Sequence, residues 1–413
     1  MSISLAIRSG GHHLKTQACK LQRPACRKLS TAQQSPKVMV LTGATAQMAQ
    51  PIIAEALERN YEVVACARNP EAVKANLPLH PRIKVVTTPK PNVAAWSELL
   101  QEHVKDGSRV KLVNTIGAAV PPKGQTLREV NELPVLSAAE ALAKQSKRFS
   151  RCAIGHFSTI AASYLPECPK AQASMHPKAL EYCQGRVSVD KALGQFGLPA
   201  TIVRPGFIFT DLRGGRVIDT RHPYSPEQFA TLPLHPVLGS GKQPQQPVYD
   251  GDVILALLNG IEQDEFQIID AVGPETLSQS EMFEFFVQLK GGKFCPIKVP
   301  FDLAGVIAAH FPKGRVAPYS IDMFRIMDEH NKGALCKRKF ESLVGRPLKK
   351  MSEVYGQSKD EPFVFAKPPI QCHAKEILEG MLKDKEARSD ILRMVKKYGL
   401  PMCAQVIKAL LGS

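Results

Sequence analysis

Short apolar runs alternate with amphipathic stretches through the first half of the chain, and this pattern predicts strands that alternate with helices. The predicted strands are Val38–Leu41, Tyr61–Ala67, Arg82–Thr88, Val110–Ile116, Phe149–His156 and Ala200–Val203. Predicted helices lie around Ile52–Leu57 and at Val93–His103, Leu127–Gln145 and Leu180–Phe196, with a polar loop at Pro166–Pro177. This order is typical of an α/β protein with a doubly wound parallel sheet and right-handed crossovers.

The alternation weakens after residue 210, and the second half predicts a smaller α/β lobe at residues 211–360. Its predicted elements are a turn and helix at Val248–Ile261, a strand at Phe266–Asp270, and helices at Ser278–Leu289, Val299–Phe311, Ser320–Met327 and Arg338–Val344. Ser278 and Glu281 have the spacing of a capping box at a helix start.

Residues 368–413 predict a helical tail. Its helices are Ala374–Lys383, Arg388–Tyr398 and Met402–Leu411, and its apolar stripe consists of Leu392, Val395, Ile407 and Leu410. We expect this stripe to dock on the same chain, with a face for a partner protein as the alternative.

Charge is unevenly distributed along the 413 residues, whose formal net charge is +16. Residues 1–34 contain six Lys and Arg and no acid, and the first acid in the chain is Glu55. A basic, Ser-containing and acid-free start predicts a mitochondrial transit peptide at 1–34, ahead of a dinucleotide-binding domain at 37–210. A disordered basic arm is the alternative.

Composition also narrows the classes of function. The ten cysteines show no C-x-x-C pairing, so neither a zinc site nor a disulfide framework is expected. No apolar run approaches the ~20 residues of a membrane span. Basic helices interleaved with aromatic residues are missing from the sequence, so a nucleic-acid role is not favoured.

A turn at Thr42–Thr45 joins the first strand to the first helix, as in a dinucleotide-binding βαβ unit. Gly43 permits the sharp turn, and the helix start offers N–H groups and a positive dipole end to a pyrophosphate. Where a T-G-x-x-G-x-x-G pattern has its second and third glycines, this chain has Ala46 and Ala49. The predicted contacts around the turn are Thr42, Gly43, Thr45, Ala46, Gln47 and Met48.

Residues that follow two other strands complete the predicted cofactor site. Arg68 follows the second strand, where an acid would accept from the ribose hydroxyls of NAD and an arginine favours the 2′-phosphate of NADP. A solvated Arg at a helix start is the alternative. Asn114 and Gly117 end the fourth strand and are candidates to line the adenine or ribose, with strand-end packing as the alternative.

Several segments between Lys37 and Glu353 together resemble the short-chain dehydrogenase/reductase (SDR) superfamily, in its extended or atypical branch. The matching segments, in order, are Thr42–Thr45 (T-G-A-T), Glu129–Ala139, Val203–Ile208 (containing R-P-G), Pro247–Val253, and Gln267–Leu277 (containing G-P-E-T-L). The resemblance implies a Rossmann fold and a bound nicotinamide dinucleotide, with Pro205 beside the nicotinamide.

The resemblance also implies a catalytic set. In this superfamily a Ser polarises a carbonyl, a Tyr transfers the proton, and a Lys four residues later binds the nicotinamide ribose. Ser158 and Tyr182 stand at the first two positions, and Arg186 stands where the Lys is expected. Arg keeps the charge but not the shape of an ammonium group. A packed Tyr and a surface Arg are the alternative.

The substitutions at Ala46 and Arg186 resemble those of atypical members, including two mitochondrial branches. One is the SDR-like accessory subunit of respiratory complex I, and the other is the SDR-like protein linked to coenzyme Q biosynthesis. The first hypothesis is therefore a matrix-side, NADP-binding accessory or assembly component near the inner membrane. The alternatives are an NADPH-dependent reductase of a carbonyl or enone and a nucleotide-free Rossmann scaffold, with a sugar-nucleotide epimerase as a weaker choice.

Overall fold

The computed structural model describes residues 35–46, 48–74, 80–118, 121–122, 124–210, 234–289, 291–309, 318–330, 337–356, 383 and 385–411. The predicted transit peptide, Gln47, and nearly all of the predicted helix Ala374–Lys383 lie outside these residues.

Seven parallel strands form the central sheet, and their apolar, β-branched residues are buried from both sides. The strands are β1 (Lys37–Thr42), β2 (Glu62–Ala67), β3 (Ile83–Thr87), β4 (Arg109–Asn114), β5 (Arg151–Phe157), β6 (Ala200–Pro205) and β11 (Phe266–Ala271). Their order is β11-β6-β5-β4-β1-β2-β3. From β1 the strands β2 and β3 follow toward one side of the sheet, whereas β4, β5, β6 and β11 follow toward the other. The carboxyl ends of β1 and β4 therefore border the crevice where such sheets bind ligands. The predicted doubly wound sheet is confirmed.

Helices cover both faces of the sheet. One face packs against α1 (Ala49–Glu58), α9 (Asp250–Gly260) and α13 (Arg338–Val344). The other packs against α3 (Val93–His103), α5 (Leu133–Lys144) and α8 (Pro177–Leu193). The strand–helix–strand units therefore bury two separate apolar layers, as the alternating pattern predicts.

Two local predictions are wrong. The stretch Leu127–Gln145 forms two helices, α4 (Leu127–Asn131) and α5, which meet at Glu132. Pro134 lies in the first turn of α5, and a proline inside one continuous helix would remove a hydrogen bond and clash with the preceding turn. The polar stretch Pro166–Pro177 is not a loop throughout, since Pro169 begins a helix, α7 (Pro169–Ser174), which follows the short α6 (Ala161–Tyr164).

The second lobe has short strand pairs and a core of its own. Its strands are β7 (Ile208–Phe209), β8 (His235–Leu238), β9 (Pro244–Gln245), β10 (Val248–Tyr249), β12 (Leu277–Ser278) and β13 (Pro296–Val299). Its helices include α10 (Gln279–Leu289), α11 (Phe301–Ala309), α12 (Pro318–His330) and α14 (Met351–Gly356). The short helix α2 (Pro70–Lys74) lies between β2 and β3 in the first half of the chain. The predicted capping box is present, because Ser278 Oγ accepts from the Glu281 N–H and Glu281 accepts from the Ser278 N–H.

The tail helices α15 (Lys385–Tyr398) and α16 (Leu400–Leu411) dock on the second lobe. Met394, Cys403 and Val406 are buried in its core. Tail docking on the same chain is therefore the arrangement seen, but the predicted stripe is partly wrong, because Leu392 is 68% exposed. The side chains of Ile407 and Leu410 lie outside those the structure describes. None of the described helices is long and apolar enough to cross a membrane.

Candidate functional site

Gly43 forms the turn between β1 and α1 in a conformation that other residues rarely adopt. Its φ is +75°, and a Cβ built on it would lie 2.9 Å from Thr115 Oγ1 and 2.9 Å from Ile116 Cγ1. The N–H of Ala46 donates to Gly43 O at 2.8 Å, which closes the turn. The turn therefore needs glycine at position 43 and has no such need at position 46.

The start of α1 is suited to an anion. Met48 is its N-cap residue and supplies no side-chain cap, and the first turn carries no acid. Thr45 is exposed beside it, while Ala46 and Met48 pack partly against the core below. An uncapped helix start with its positive dipole end open to the crevice is the feature that binds a pyrophosphate in βαβ units.

Arg68 lies at the end of β2, next to this turn in the sheet. Its side chain is exposed, and it makes no hydrogen bond or ion pair with the residues that the structure describes. Ala44 N–H donates to Cys66 O at 2.9 Å, so the Gly43 turn and the end of β2 are joined directly. An unpaired guanidinium in this place is available to a 2′-phosphate.

The side chains of Thr42 and Asn114 face each other at the carboxyl ends of β1 and β4. Thr42 Oγ1 donates to Asn114 Oδ1 at 2.5 Å, and Asn114 Nδ2 lies 3.1 Å from His156 Nδ1. All three side chains are fully buried. Because the amide donates to Nδ1, the neutral His156 carries its proton on Nε2. This geometry favours the packing alternative for the Asn114 side chain over contact with the adenine or ribose.

Arg186 is not a surface residue, contrary to one alternative drawn from the sequence. It is 4% exposed, and its guanidinium lies 3.4 Å from both Phe157 O and Asn131 Oδ1. It stacks over the Tyr182 ring at 5.0 Å from the centroid. Gly117 leaves it room, since a Cβ there would lie 2.4 Å from Arg186 Nη2.

Asn131 is a residue of this site that the sequence reading did not single out. Its Oδ1 accepts from the Ala118 N–H at 2.7 Å, and its Nδ2 donates to Ala118 O at 2.9 Å. It therefore fixes the chain after β4 and also faces Arg186. The signal that could have found it is the capping box of Thr126 and Glu129, which starts the short helix and sets the direction of Asn131.

Ser158 donates its hydroxyl proton to Asp190. The Ser158 Oγ to Asp190 Oδ2 distance is 2.9 Å, and Arg204 Nε donates to the same oxygen at 2.8 Å. Burial raises the pKa of Asp190, whereas the Arg204 and Ser158 hydrogen bonds oppose that rise. The hydrogen bond to Asp190 engages the Ser158 proton and keeps it away from any substrate carbonyl.

His156 lies on the other side of Asp190. Its Nε2 is 3.9 Å from Asp190 Oδ1, and neither atom has a hydrogen-bond partner in the structure. Complete burial, with the nearby charge of Arg186 adding to it, lowers the pKa of His156 well below its usual value. His156 is therefore neutral and directs its Nε2–H toward the carboxylate.

A second carboxylate extends this network toward the lobe. Ser163 Oγ lies 2.9 Å and 3.0 Å from the two Asp270 oxygens, and Arg204 Nη1 donates to Ser163 at 3.2 Å. A cleft opens beside it after the ends of β5, β6 and β11. Its lining residues are Ile160, Tyr164, Gly206, Phe207, Pro244, Gln246, Val272, Met327 and His330.

Pro205 ends β6 beside this cleft. It is buried, lies opposite Ala271 in the sheet, and accepts the Ile160 N–H at 3.0 Å. The structure therefore brings Ser158, Tyr182, Arg186 and Pro205 to the carboxyl ends of β4, β5 and β6. Gln47 lies outside the described residues. No group of three metal-binding side chains occurs among the described residues.

Sequence comparison matches residues 43–228 to a family described as NAD(P)H-binding. No curated protein matches the chain.

Solved structures cover more of the chain. An epimerase from Methanothermobacter thermautotrophicus is 13% identical, with 84% of this chain and 95% of that one covered and a TM-score of 0.55. A dTDP-glucose 4,6-dehydratase from Bacillus anthracis, solved with NAD, is 14% identical over 79% and 97%, with a TM-score of 0.53. A UDP-glucose 4-epimerase from Thermotoga maritima, solved with UDP-glucose, is 15% identical over 77% and 96%, with a TM-score of 0.52.

Identities this low show the fold. The chain has a Rossmann-like α/β fold, as predicted, and its first half matches an NAD(P)H-binding family.

Proposed function

We propose that this chain binds NADP(H) at the crevice between β1 and β4 and holds it without using Ser158 for hydride chemistry. The observation that carries this proposal is the placement of Gly43 and Arg68 on adjacent strand ends, linked by the hydrogen bond from Ala44 to Cys66. The turn and the uncapped start of α1 would receive the pyrophosphate. Arg68 would receive the 2′-phosphate, which NAD lacks.

The residues around Gly43 fit a dinucleotide in spite of the two alanines. A glycine is needed where φ is positive and where a Cβ would meet Thr115 and Ile116, and that position has one. Ala46 donates its N–H to Gly43 O, so the turn closes with an alanine at this position.

The contacts of the residues at the predicted catalytic positions support a chain that binds the nucleotide without catalysing hydride transfer. A bound nicotinamide would supply hydride chemistry only if a neighbouring hydroxyl could polarise a carbonyl. Here the Ser158 proton goes to Asp190, and Arg186 is buried against Gly117, Phe157 and Asn131. Those contacts hold Arg186 in a structural position beneath the ligand site.

We further propose that the protein acts in mitochondria, as an accessory or assembly component of respiratory complex I or of quinone metabolism. The support is the basic, acid-free start of the chain at residues 1–34. Import of the full chain into isolated mitochondria, followed by N-terminal sequencing, tests this. Processing near residue 34 is expected, and an intact Met1 on imported protein contradicts a cleaved transit peptide.

NADPH-dependent reduction is the second candidate function. Its supporting observation is the guanidinium of Arg186 over the Tyr182 ring, which brings together the phenol and the cation that the resemblance pairs in a catalytic set. In that case Tyr182→Phe removes NADPH consumption and leaves NADPH binding intact.

Calorimetric titration of the full chain with NADPH and with NADH tests the main proposal. NADPH should bind and NADH should bind less tightly. Arg68→Ala should weaken NADPH binding about tenfold to a hundredfold, the value of a lost charge-assisted hydrogen bond, and leave NADH binding unchanged. Arg338→Ala, at an exposed arginine at the start of α13, is the matched control. Absence of binding by both nucleotides favours the scaffold alternative.

A further inference from the structure

Exposed apolar side chains are concentrated in the tail. Four large hydrophobic residues are exposed among those that the structure describes, and three of them are Leu392, Leu400 and Met402. Leu392 and Leu400 are 68% and 65% exposed. The fourth is Phe266, in the central sheet. Large apolar groups gathered on one exposed element mark an interaction surface more often than they occur by chance.

Other residues of the same two helices attach them to the second lobe. Met394, Cys403 and Val406 enter the core of the second lobe. Lys397 Nζ lies 2.6 Å from Asp302 Oδ2, and Tyr398 donates to the same oxygen at 3.3 Å. The exposed residues therefore belong to helices that are already docked on the second lobe through other side chains. Their exposure is not due to undocked tail helices.

Cations accompany the apolar residues on α15. Arg388, Leu392 and Lys396 follow one another at intervals of four, so they share one face of the helix, and all three are exposed. Arg393 is also exposed and pairs with Asp390 at 2.8 Å. Leu400 and Met402 come just after Gly399, whose φ of +84° turns the chain between the helices. The surface made by Arg388, Leu392, Lys396, Leu400 and Met402 is here called the tail face.

We propose that the tail face docks on an anionic lipid bilayer surface. Such a surface accepts apolar side chains into its interface and attracts the surrounding Lys and Arg, which meets both features at once. A second copy of this chain fits less well, because a symmetric contact would bring Arg388 and Lys396 against the same cations. The proposal is independent of nucleotide binding.

Co-sedimentation of the full chain with vesicles tests the proposal. One vesicle preparation contains phosphatidylcholine alone, and the other contains phosphatidylcholine with phosphatidylglycerol. Binding is expected to the anionic vesicles only and should weaken as salt is raised. The double variant Leu392→Ser/Leu400→Ser should reduce binding at least about tenfold, since each leucine loses the gain from its burial in the interface. Lys396→Glu should reduce it roughly tenfold.

Matched variants separate the tail face from general effects. Phe266→Ser removes an exposed apolar side chain elsewhere, and Lys191→Glu reverses an exposed charge on α8. Both should bind anionic vesicles as the native chain does. The proposal is overturned if the native chain ignores anionic vesicles, or if the tail variants bind as well as the native chain. It is also overturned if light scattering shows that Leu392→Ser/Leu400→Ser dissociates a dimer, because a second copy then covers the face.

Discussion

Ser158 and Asp190 form a buried hydrogen bond of 2.9 Å in which the serine is the donor. The resemblance to SDR enzymes implies that Ser158 points its proton at a substrate carbonyl. In this chain Asp190 accepts that proton, and Arg204 donates to the same carboxylate oxygen. The hydroxyl donor that the resemblance predicts is thus engaged within the chain itself.

Removing the charge of Asp190 should destabilise the protein. Asp190→Asn leaves Arg204 without its carboxylate in a largely buried place, and breaking such a pair costs about 3–5 kcal/mol of unfolding free energy. Urea denaturation measures this loss. Asp264→Asn is the control, because the Asp264–Arg151 pair is exposed and should contribute less than about 1 kcal/mol. Equal stability of the two variants would contradict the buried ion pair.

Replacement of Gly43 should cost more than replacement of another glycine with the same backbone conformation. Gly43→Ala introduces both a strained φ and a collision with Thr115 and Ile116. Gly107→Ala introduces the strain alone, because nothing lies within 4 Å of its added Cβ, and should cost about 1–2 kcal/mol. The comparison is made by thermal unfolding. NADPH binding should be lost in Gly43→Ala only, and equal effects at both positions would argue against a tight turn.

Ala46→Gly separates a binding protein from a scaffold. If the native turn already receives a pyrophosphate, the variant should bind NADPH with an affinity within about threefold of the native value, because the Ala46 N–H is engaged in the turn in either case. Calorimetry with NADPH decides the matter. Binding that appears only in the variant would show that the Ala46 methyl excludes the nucleotide and that the native chain is a scaffold.

Lys111 should make stability rise with pH in the alkaline range. Burial lowers its pKa in the folded protein from 10.5 to about 8, with Glu262 opposing this and Arg151 and Arg109 adding to it. Between these two values the unfolded chain binds more protons than the folded one, so the unfolding free energy increases as pH rises. The increase should approach about 3 kcal/mol. Below pH 8 both forms are protonated and this contribution is constant.

Lys111→Met tests that dependence. Urea denaturation at several pH values between 7 and 10.5 gives the difference in unfolding free energy between the native chain and the variant. The unfolding free energy of the native chain minus that of the variant should rise steadily with pH, as the native lysine loses its proton. A difference independent of pH would mean that Lys111 keeps an ordinary pKa in the folded state.

The sheet could be predicted because its signal is local. Runs such as those of β1 and β2 are buried on both faces, so nearly every residue in them is apolar and the strands are visible without any knowledge of their neighbours. The break at Glu132 was missed because the apolar spacing continues across it. The proline at 134 is the available sign, because proline is favoured in the first turn of a helix and not in its interior.

The sequence predicts which side chains lie at the carboxyl ends of the strands, but not the contacts that they make. Strand ends identified Ser158, Arg68 and Asn114, since the carboxyl ends of parallel strands meet at one edge. Which of them face a ligand depends on partners distant in sequence. Asp190 lies on α8 and Arg204 on β6, and no pattern around Ser158 indicates that they hold its proton. The burial of Arg186 likewise depends on the missing side chain of Gly117.

Arg186 and Gly117 occupy one shared volume, and this has a consequence for how the chain could have evolved. A Cβ at position 117 would collide with the end of the Arg186 side chain, so a larger residue there requires the guanidinium to move from its present place beside Phe157 O and Asn131. A residue with a shorter side chain at position 186 would leave room for a Cβ at position 117. Among descendants of a common ancestor, a larger residue at position 117 should therefore be accompanied by a shorter side chain or a different guanidinium position at 186.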